Sequence, residues 1–116
     1  MHDHAVVIAD TTGTIQFWSE GAQKLFGHSA SHAVGQRLDL IVPEKYRDLH
    51  WAGFRRAMET GTAAAEGTPT DIPVQCHDGR VTAFHGYFML LRDPQKAVIG
   101  AMAIFAAPTP VTGDES

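Results

Sequence analysis

Between two strand-like runs, Asp71 to Cys76 and Val81 to Leu91, stands Asp78-Gly79, a pair whose turn chemistry obliges the chain to double back as an antiparallel hairpin. A further turn at Arg92-Asp93-Pro94-Gln95-Lys96 leads into Ala97 to Ala106, so three strands follow one another at the end of the chain. The beginning repeats the pattern on a smaller scale. Ala5-Val6-Val7-Ile8-Ala9 is a short apolar run, Asp10-Thr11-Thr12-Gly13 supplies a turn, and Thr14 to Trp18 alternates as a half-buried strand does. Between the two sets the pattern becomes helical. Ser19 suits the cap of a helix through Glu20 to Phe26 that Gly27 ends, and a broken helical region with His28, His32 and Gly35 leads to Leu38 to Val42. This order predicts an α+β domain with helices gathered on one face of an antiparallel sheet and one shared core.

The longest helical pattern runs from Pro43, suited to a first turn, to Gly61, suited to the position just past an end. Tyr46, Leu49, Gly53, Phe54, Ala57 and Met58 recur at three- and four-residue steps and form one apolar stripe, and His50 lies within it. An inward imidazole needs a hydrogen-bond partner or something to coordinate, because an unmet polar nitrogen in an apolar interior costs about 1–3 kcal/mol. Gly53 falls one turn further on nearly the same face, where glycine costs roughly 0.5–1 kcal/mol relative to alanine. Either a flat group ligated by His50 lies there, or a strand packs closely on the helix.

Composition narrows the function classes. With 116 residues, 44% of them hydrophobic, the chain suits one module, residues 1–106, followed by a tail at 107–116 rich in proline and small polar residues and expected to be disordered, with no effector domain after it. A net charge of −4 and no basic cluster beyond Arg55-Arg56 argue against nucleic acid as partner. The apolar runs are far shorter than the roughly 20 residues that cross a bilayer. There is also no basic, cleavable leader, so a cytoplasmic location and no membrane association are expected. Cys76 is the only cysteine, which excludes intrachain disulfides and multi-thiolate metal sites. No Ser-His-Asp order at useful spacing, phosphate loop or activated cysteine is present, so no enzymatic activity is expected.

Ala9-Asp10-Thr11-Thr12-Gly13-Thr14-Ile15, Lys24-Leu25-Phe26-Gly27-His28 and His77-Asp78-Gly79-Arg80, in this order of elements, resemble the PAS sensor domains over roughly Ala5 to Phe105. The resemblance implies a five-stranded antiparallel sheet cupping short helices and one long helix around a small-ligand cavity. Within that class, Pro43-Glu44-Lys45-Tyr46-Arg47-Asp48-Leu49-His50 is similar to the segment carrying the proximal haem histidine in oxygen-sensing haem PAS domains of bacterial kinases and phosphodiesterases. The resemblance implies haem b as cofactor, His50 as its axial iron ligand and Arg56 beside a propionate, in keeping with imidazole ligation and forked arginine–carboxylate pairing. Thr70 stands where those sensors carry a distal arginine, and Thr68 where others carry a methionine ligand. Gly86 and Phe88 are expected on the distal side with Ala65 nearby, a mostly apolar pocket that would suit carbon monoxide or nitric oxide better than dioxygen.

On this reading the chain is a gas sensor, its partners a diatomic gas, a second copy through the sheet face, and a separate signalling protein. Two other readings stand beside it: a cofactor-free interaction module associating through outward residues such as Tyr87 and Trp18, and a binder of a small apolar metabolite with His50 as a hydrogen-bonding group. His28 and His32 are four apart but read as surface loop histidines rather than a metal site, and His2 and His4 flank Asp3 at the terminus. His85 should face outward. Arg55 and Arg56 also suit a solvated helix edge, and Phe17, Trp18 and Phe26 suit the core or the sheet's outer face.

Overall fold

The structure is a computed structural model and describes residues 4–107. His2 and the expected tail from residue 108 onward lie outside the described residues. Five strands, β1 (His4–Asp10), β2 (Ile15–Trp18), β3 (Thr70–Gln75), β4 (Val81–Arg92) and β5 (Val98–Ala106), form one antiparallel sheet in the order β2-β1-β5-β4-β3. The first and last strands are therefore neighbours, and the hairpins at the two ends of the chain close into one layer. The helices of the connection, α1 (Glu20–Phe26), α2 (Ala30–Ala33) and α3 (Arg47–Thr60), cover one face, with single 3₁₀ turns at Leu38–Leu40 and Glu44–Tyr46. This is the α+β arrangement read from the order of elements.

Local chemistry sets the element ends. In the first turn Asp10 Oδ1 accepts from the backbone N–H groups of Thr12 and Thr14 and from the Thr12 hydroxyl, and this last bond leads the set that holds the Asp10 carboxyl below the usual range. Ser19 Oγ accepts from the N–H of Ala22 at 3.1 Å and from that of Val6 at 2.8 Å, so one side chain both caps α1 and ties it to β1. Gly27 ends the helix in the left-handed conformation. The long helix opens with a 3₁₀ turn at Glu44–Tyr46 that runs directly into the α-helical stretch Arg47–Thr60.

Beneath α1 the core is aromatic. Phe26 meets Trp18, Phe84 and Phe105 edge to face at centroid distances of 5.7, 5.1 and 5.1 Å. Trp18 is 4% exposed and its indole N–H donates to the His28 carbonyl at 2.9 Å, so it belongs to the core and not, as the interaction-module reading supposed, to an outward contact face. His28 is also a correction. It is only 7% exposed, packed against Trp18, His32 and His77, where a surface loop histidine was expected. Phe17 faces outward at 48% exposure, and His85, outward as expected, pairs with Asp71 at 3.2 Å.

Candidate functional site

A cavity of about 630 Å³ lies between α3 and the half of the sheet away from the aromatic cluster. That is within the range of sites that enclose a small ligand or cofactor. On the sheet side its wall is made by Val7 and Ala9 of β1, Ile72 and Val74 of β3, Phe88 and Leu90 of β4, and Ala101, Ala103 and Phe105 of β5. These are alternate residues of their strands, as one face of a pleated sheet requires, and Met102 of β5 lines the cavity as well. The opposite wall is α3, which contributes His50, Gly53, Phe54, Arg56 and Ala57, and the loop after it contributes Ala63, Ala64 and Ala65.

The helical stripe is not pressed onto the sheet. Leu49 is 75% exposed at the rim, Tyr46 is exposed, and among the described residues of α3 only Ala57 is buried. The helix is held by its ends. Arg47 donates from Nε to the Val42 carbonyl at 3.0 Å and from Nη2 to the Asp39 carbonyl at 3.2 Å, while past the other end Arg92 Nη2 donates to the Gly61 carbonyl at 3.0 Å. Arg92 also pairs with Glu66 at 3.3 Å, and Glu66 Oε2 accepts from the Leu90 N–H at 2.8 Å, which clamps the alanine loop to β4 beside the cavity. The Arg92 guanidinium holds the Glu66 carboxyl below its usual range.

His50 lines this cavity, and its Nδ1 is buried without a hydrogen-bond partner among the described residues. Its ring sits edge-on to Trp51 at 4.9 Å and roughly parallel to Phe54 at 5.9 Å. Burial pushes its pKa down, opposed only by the attraction of Asp39, so the neutral imidazole with a free electron pair is favoured. Gly53 also lines the cavity, and a Cβ built there would meet no atom within 4 Å. The close-packed-strand explanation of this glycine therefore fails, and the space over it is open. An unpartnered neutral imidazole, a bare helical surface beside it, and Arg56 on the same wall fit a flat, carboxylate-bearing ligand that takes an axial nitrogen.

Of the residues singled out in the sequence, His50, Gly53, Arg56, Ala65 and Phe88 meet around this one cavity. Thr70 and Gly86 stand apart from it. They pair with one another across β3 and β4, Thr70 is exposed, and a Cβ on Gly86 would collide with the Ile104 carbonyl of β5, so that glycine serves strand approach. Trp51 was missed, although Gly13 in the β1–β2 turn faces its ring. Met58, Thr60 and Thr62 at the cavity edge were missed as lining too. Among the described residues no group of three or more His, Cys, Asp or Glu side chains is arranged to hold a metal ion, and this includes the stacked pair His28 and His32.

Comparison with known proteins adds relatives to this geometry. The model of a family described as the PAS fold matches residues 3–112. The sensor protein FixL of Bradyrhizobium diazoefficiens is 30% identical over 81 residues, 70% of this chain and 16% of that protein. The oxygen sensor protein DosP of Escherichia coli is 26% identical over 73 residues, 63% of this chain and 9% of that protein. The chain thus spans less than a fifth of the length of either relative. Among solved structures, the PAS domain of a protein from Colwellia psychrerythraea superposes with a TM-score of 0.76 at 21% identity, covering 91% of this chain and 86% of that one.

Proposed function

We propose, from the premise that this chain belongs to the PAS-fold family, that it is a sensor domain whose cavity beneath α3 holds haem b with His50 as the axial ligand. The observation that carries the reading is the buried, unpartnered His50 nitrogen beside an open cavity and a bare Gly53. Neutral imidazole is a normal ligand of haem iron, and the absence of a side chain at Gly53 would leave room for a planar macrocycle beside it. Arg56 is the guanidinium on that wall suited to a propionate. When bound, the haem iron supplies the coordination position at which a diatomic gas is held.

The protein's own part is to exclude water and set polarity. Ile72, Val74, Phe88, Leu90 and Ala103 present only hydrocarbon from the sheet, and Thr70 lies away from the cavity. Among the described residues that line the cavity from the sheet there is no side-chain hydrogen-bond donor to support charge on a polarised ligand, so carbon monoxide or nitric oxide is favoured over dioxygen. The family resemblance and the name of the oxygen-sensing relative support the gas-sensor class, and the apolar sheet wall supports carbon monoxide or nitric oxide within it. The chain acts by changing conformation or partner contacts rather than by catalysis, which requires a ligand with different affinity for two states. Val6, Ile104 and Tyr87 form one cross-strand row on the sheet's outer face, suited to a second copy or a separate signalling protein. No described helix is long and apolar enough to cross a membrane, and we place the sensor in the cytoplasm.

The test is an absorption spectrum of the purified protein with added hemin, repeated on His50→Ala. A stoichiometric Soret band, a ferrous form that binds carbon monoxide, and loss or alteration of both in the variant are expected. A wild type without a specific Soret band overturns the haem assignment. A second reading, a small apolar metabolite hydrogen-bonded by His50, is favoured by the hydrocarbon lining and the open rim at Leu49, and predicts hemin-independent binding of an apolar probe.

A further inference from the structure

We propose that Trp51 is the positioning residue for His50: seated in a socket made by the Gly13 turn, Arg37 and Asp39, it sets the rotation of α3 and with it the direction in which the imidazole faces the cavity. The inference rests on the reading of His50 as the group that meets the cavity's ligand. It starts from the weak seating of the helix. α3 bridges an open space with only Ala57 buried, so packing on the sheet does not fix how far the helix turns about its own axis. A helix held mainly at its ends needs a restraint near any side chain that must keep one direction.

Trp51 supplies that restraint from the residue next to His50. Its indole N–H donates to Asp39 Oδ1 at 2.6 Å, and the Arg37 guanidinium carbon lies 4.3 Å from its ring centroid. Arg37 is itself braced on the β1–β2 turn, donating from Nη2 to the Thr12 carbonyl at 3.0 Å. At Gly13, where φ is +82°, any Cβ would collide with the six-membered ring of Trp51, so the turn leaves the indole its place. Burial alone does not account for this socket. Trp51 is half-buried, and an indole N–H at that exposure can be satisfied by water, yet it meets a carboxylate. Within the cluster of Trp51, His50 and Phe54, the indole is the ring with a hydrogen bond to another element, and the imidazole rests against it at 76°.

The experiment uses the full 116-residue chain and reads the imidazole directly. The His50 ring signals are assigned in NMR spectra by their loss in His50→Ala, then compared at one neutral pH without ligand. Trp51→Phe keeps a ring against His50 and removes the N–H; it should move the His50 signals and raise the hemin dissociation constant about tenfold, the effect of one charge-assisted hydrogen bond. Asp39→Asn keeps an acceptor and removes the charge, so it is the control for the lost charge: hemin binding should stay closer to the wild type than in Asp39→Ala. Asp39→Ala removes the acceptor with the indole intact and should move the His50 signals beyond the change in Asp39→Asn, which shares the lost charge, and weaken hemin binding as Trp51→Phe does; it covers the case of a Trp51 variant that does not fold. The His28 signals, remote from the socket, should stay in place in all three. His50 signals unchanged in Trp51→Phe and Asp39→Ala overturn the inference while leaving the haem reading standing. A wild type that binds no hemin overturns the haem reading, and the ligand-free NMR comparison still decides this one.

Discussion

Under α1 the ring of Phe26 meets Trp18, Phe84 and Phe105 edge to face, whereas further along the same sheet Ala9, Phe88, Leu90 and Ala101 face a cavity of about 630 Å³. The two interiors share a backbone and a register and differ in what the sequence places on each. At the closed end large rings from α1, β2, β4 and β5 interlock, and each edge-to-face pair adds about 0.5–1.5 kcal/mol to its area burial. At the open end β1 and β5 contribute alanines, and α3 contributes Gly53. Phe105 stands between, touching Phe26 on one side and lining the cavity on the other. The difference teaches that stability is concentrated in one half of the domain and that the other half is reserved for contents. Unfilled apolar volume forgoes dispersion contacts, so its persistence depends on a helix strapped by Arg47, Trp51 and Arg92 rather than seated on its own face.

The sharpest way to break this comparison is to truncate one ring in each half. Phe26→Ala, which empties a fully packed site, should cost about 3–5 kcal/mol. Phe88→Ala, which enlarges a space already open, should cost about 1 kcal/mol or less. Urea denaturation of both variants, with the slope checked for two-state behaviour, measures the contrast. Equal losses would mean that the cavity is closed in solution and that Phe88 is core.

How much of this was legible beforehand follows from the range of the signals. Local chemistry marked the hairpins and α1, because Asp78-Gly79, Ser19 and Gly27 act on their immediate neighbours. His50 was legible too, since a histidine in an apolar stripe announces itself by period. His28 was not. Glycine and serine on either side read as loop, and its burial arises only when Trp18, ten residues earlier, and His77, forty-nine later, converge on it. Trp51 escaped for a similar reason, lying off the apolar stripe while its partners Gly13, Arg37 and Asp39 are distant in the chain. Gly86 shows the limit of alternation. Parity with Phe88 correctly turned it to the inner face, but parity does not say where along the strand the cavity ends.

The two buried histidines sharpen the comparison through pH, with a smaller effect than losing a core ring because only a preference for neutral imidazole is at stake. Desolvation lowers both: His28 at the closed end, with His77 and His32 adding repulsion, and His50 at the open end, where Asp39 works the other way. A histidine whose folded pKa is depressed binds its proton more readily in the unfolded chain. Its contribution is therefore fully present above the ordinary value of 6.5 and is lost as pH falls below it. Melting temperature should decline on acidification from pH 7 towards 5. His28→Phe, which keeps a ring against Trp18, and His50→Phe should each flatten that decline, whereas a ligand that holds His50 neutral keeps the proton off the folded state and should leave or steepen the second contribution. A decline unaltered in both variants would place its origin elsewhere.

The smallest expected effect separates the two halves most cleanly, because it has opposite signs for stability and for binding. Gly53 has ordinary helical backbone and open space where a Cβ would stand, so Gly53→Ala should stabilise the ligand-free protein by about 0.5–1 kcal/mol through the lost flexibility of glycine alone. The same methyl group narrows the surface beside His50 on which a planar ligand would rest, so hemin affinity should fall while the melting temperature rises by a few degrees. At the closed end no substitution can divide the two readouts in this way, since anything that fills or empties space there changes packing first. A destabilised Gly53→Ala would mean that α3 lies closer to its neighbours than the open cavity allows, and an unchanged hemin affinity would move the ligand's plane away from this face of the helix.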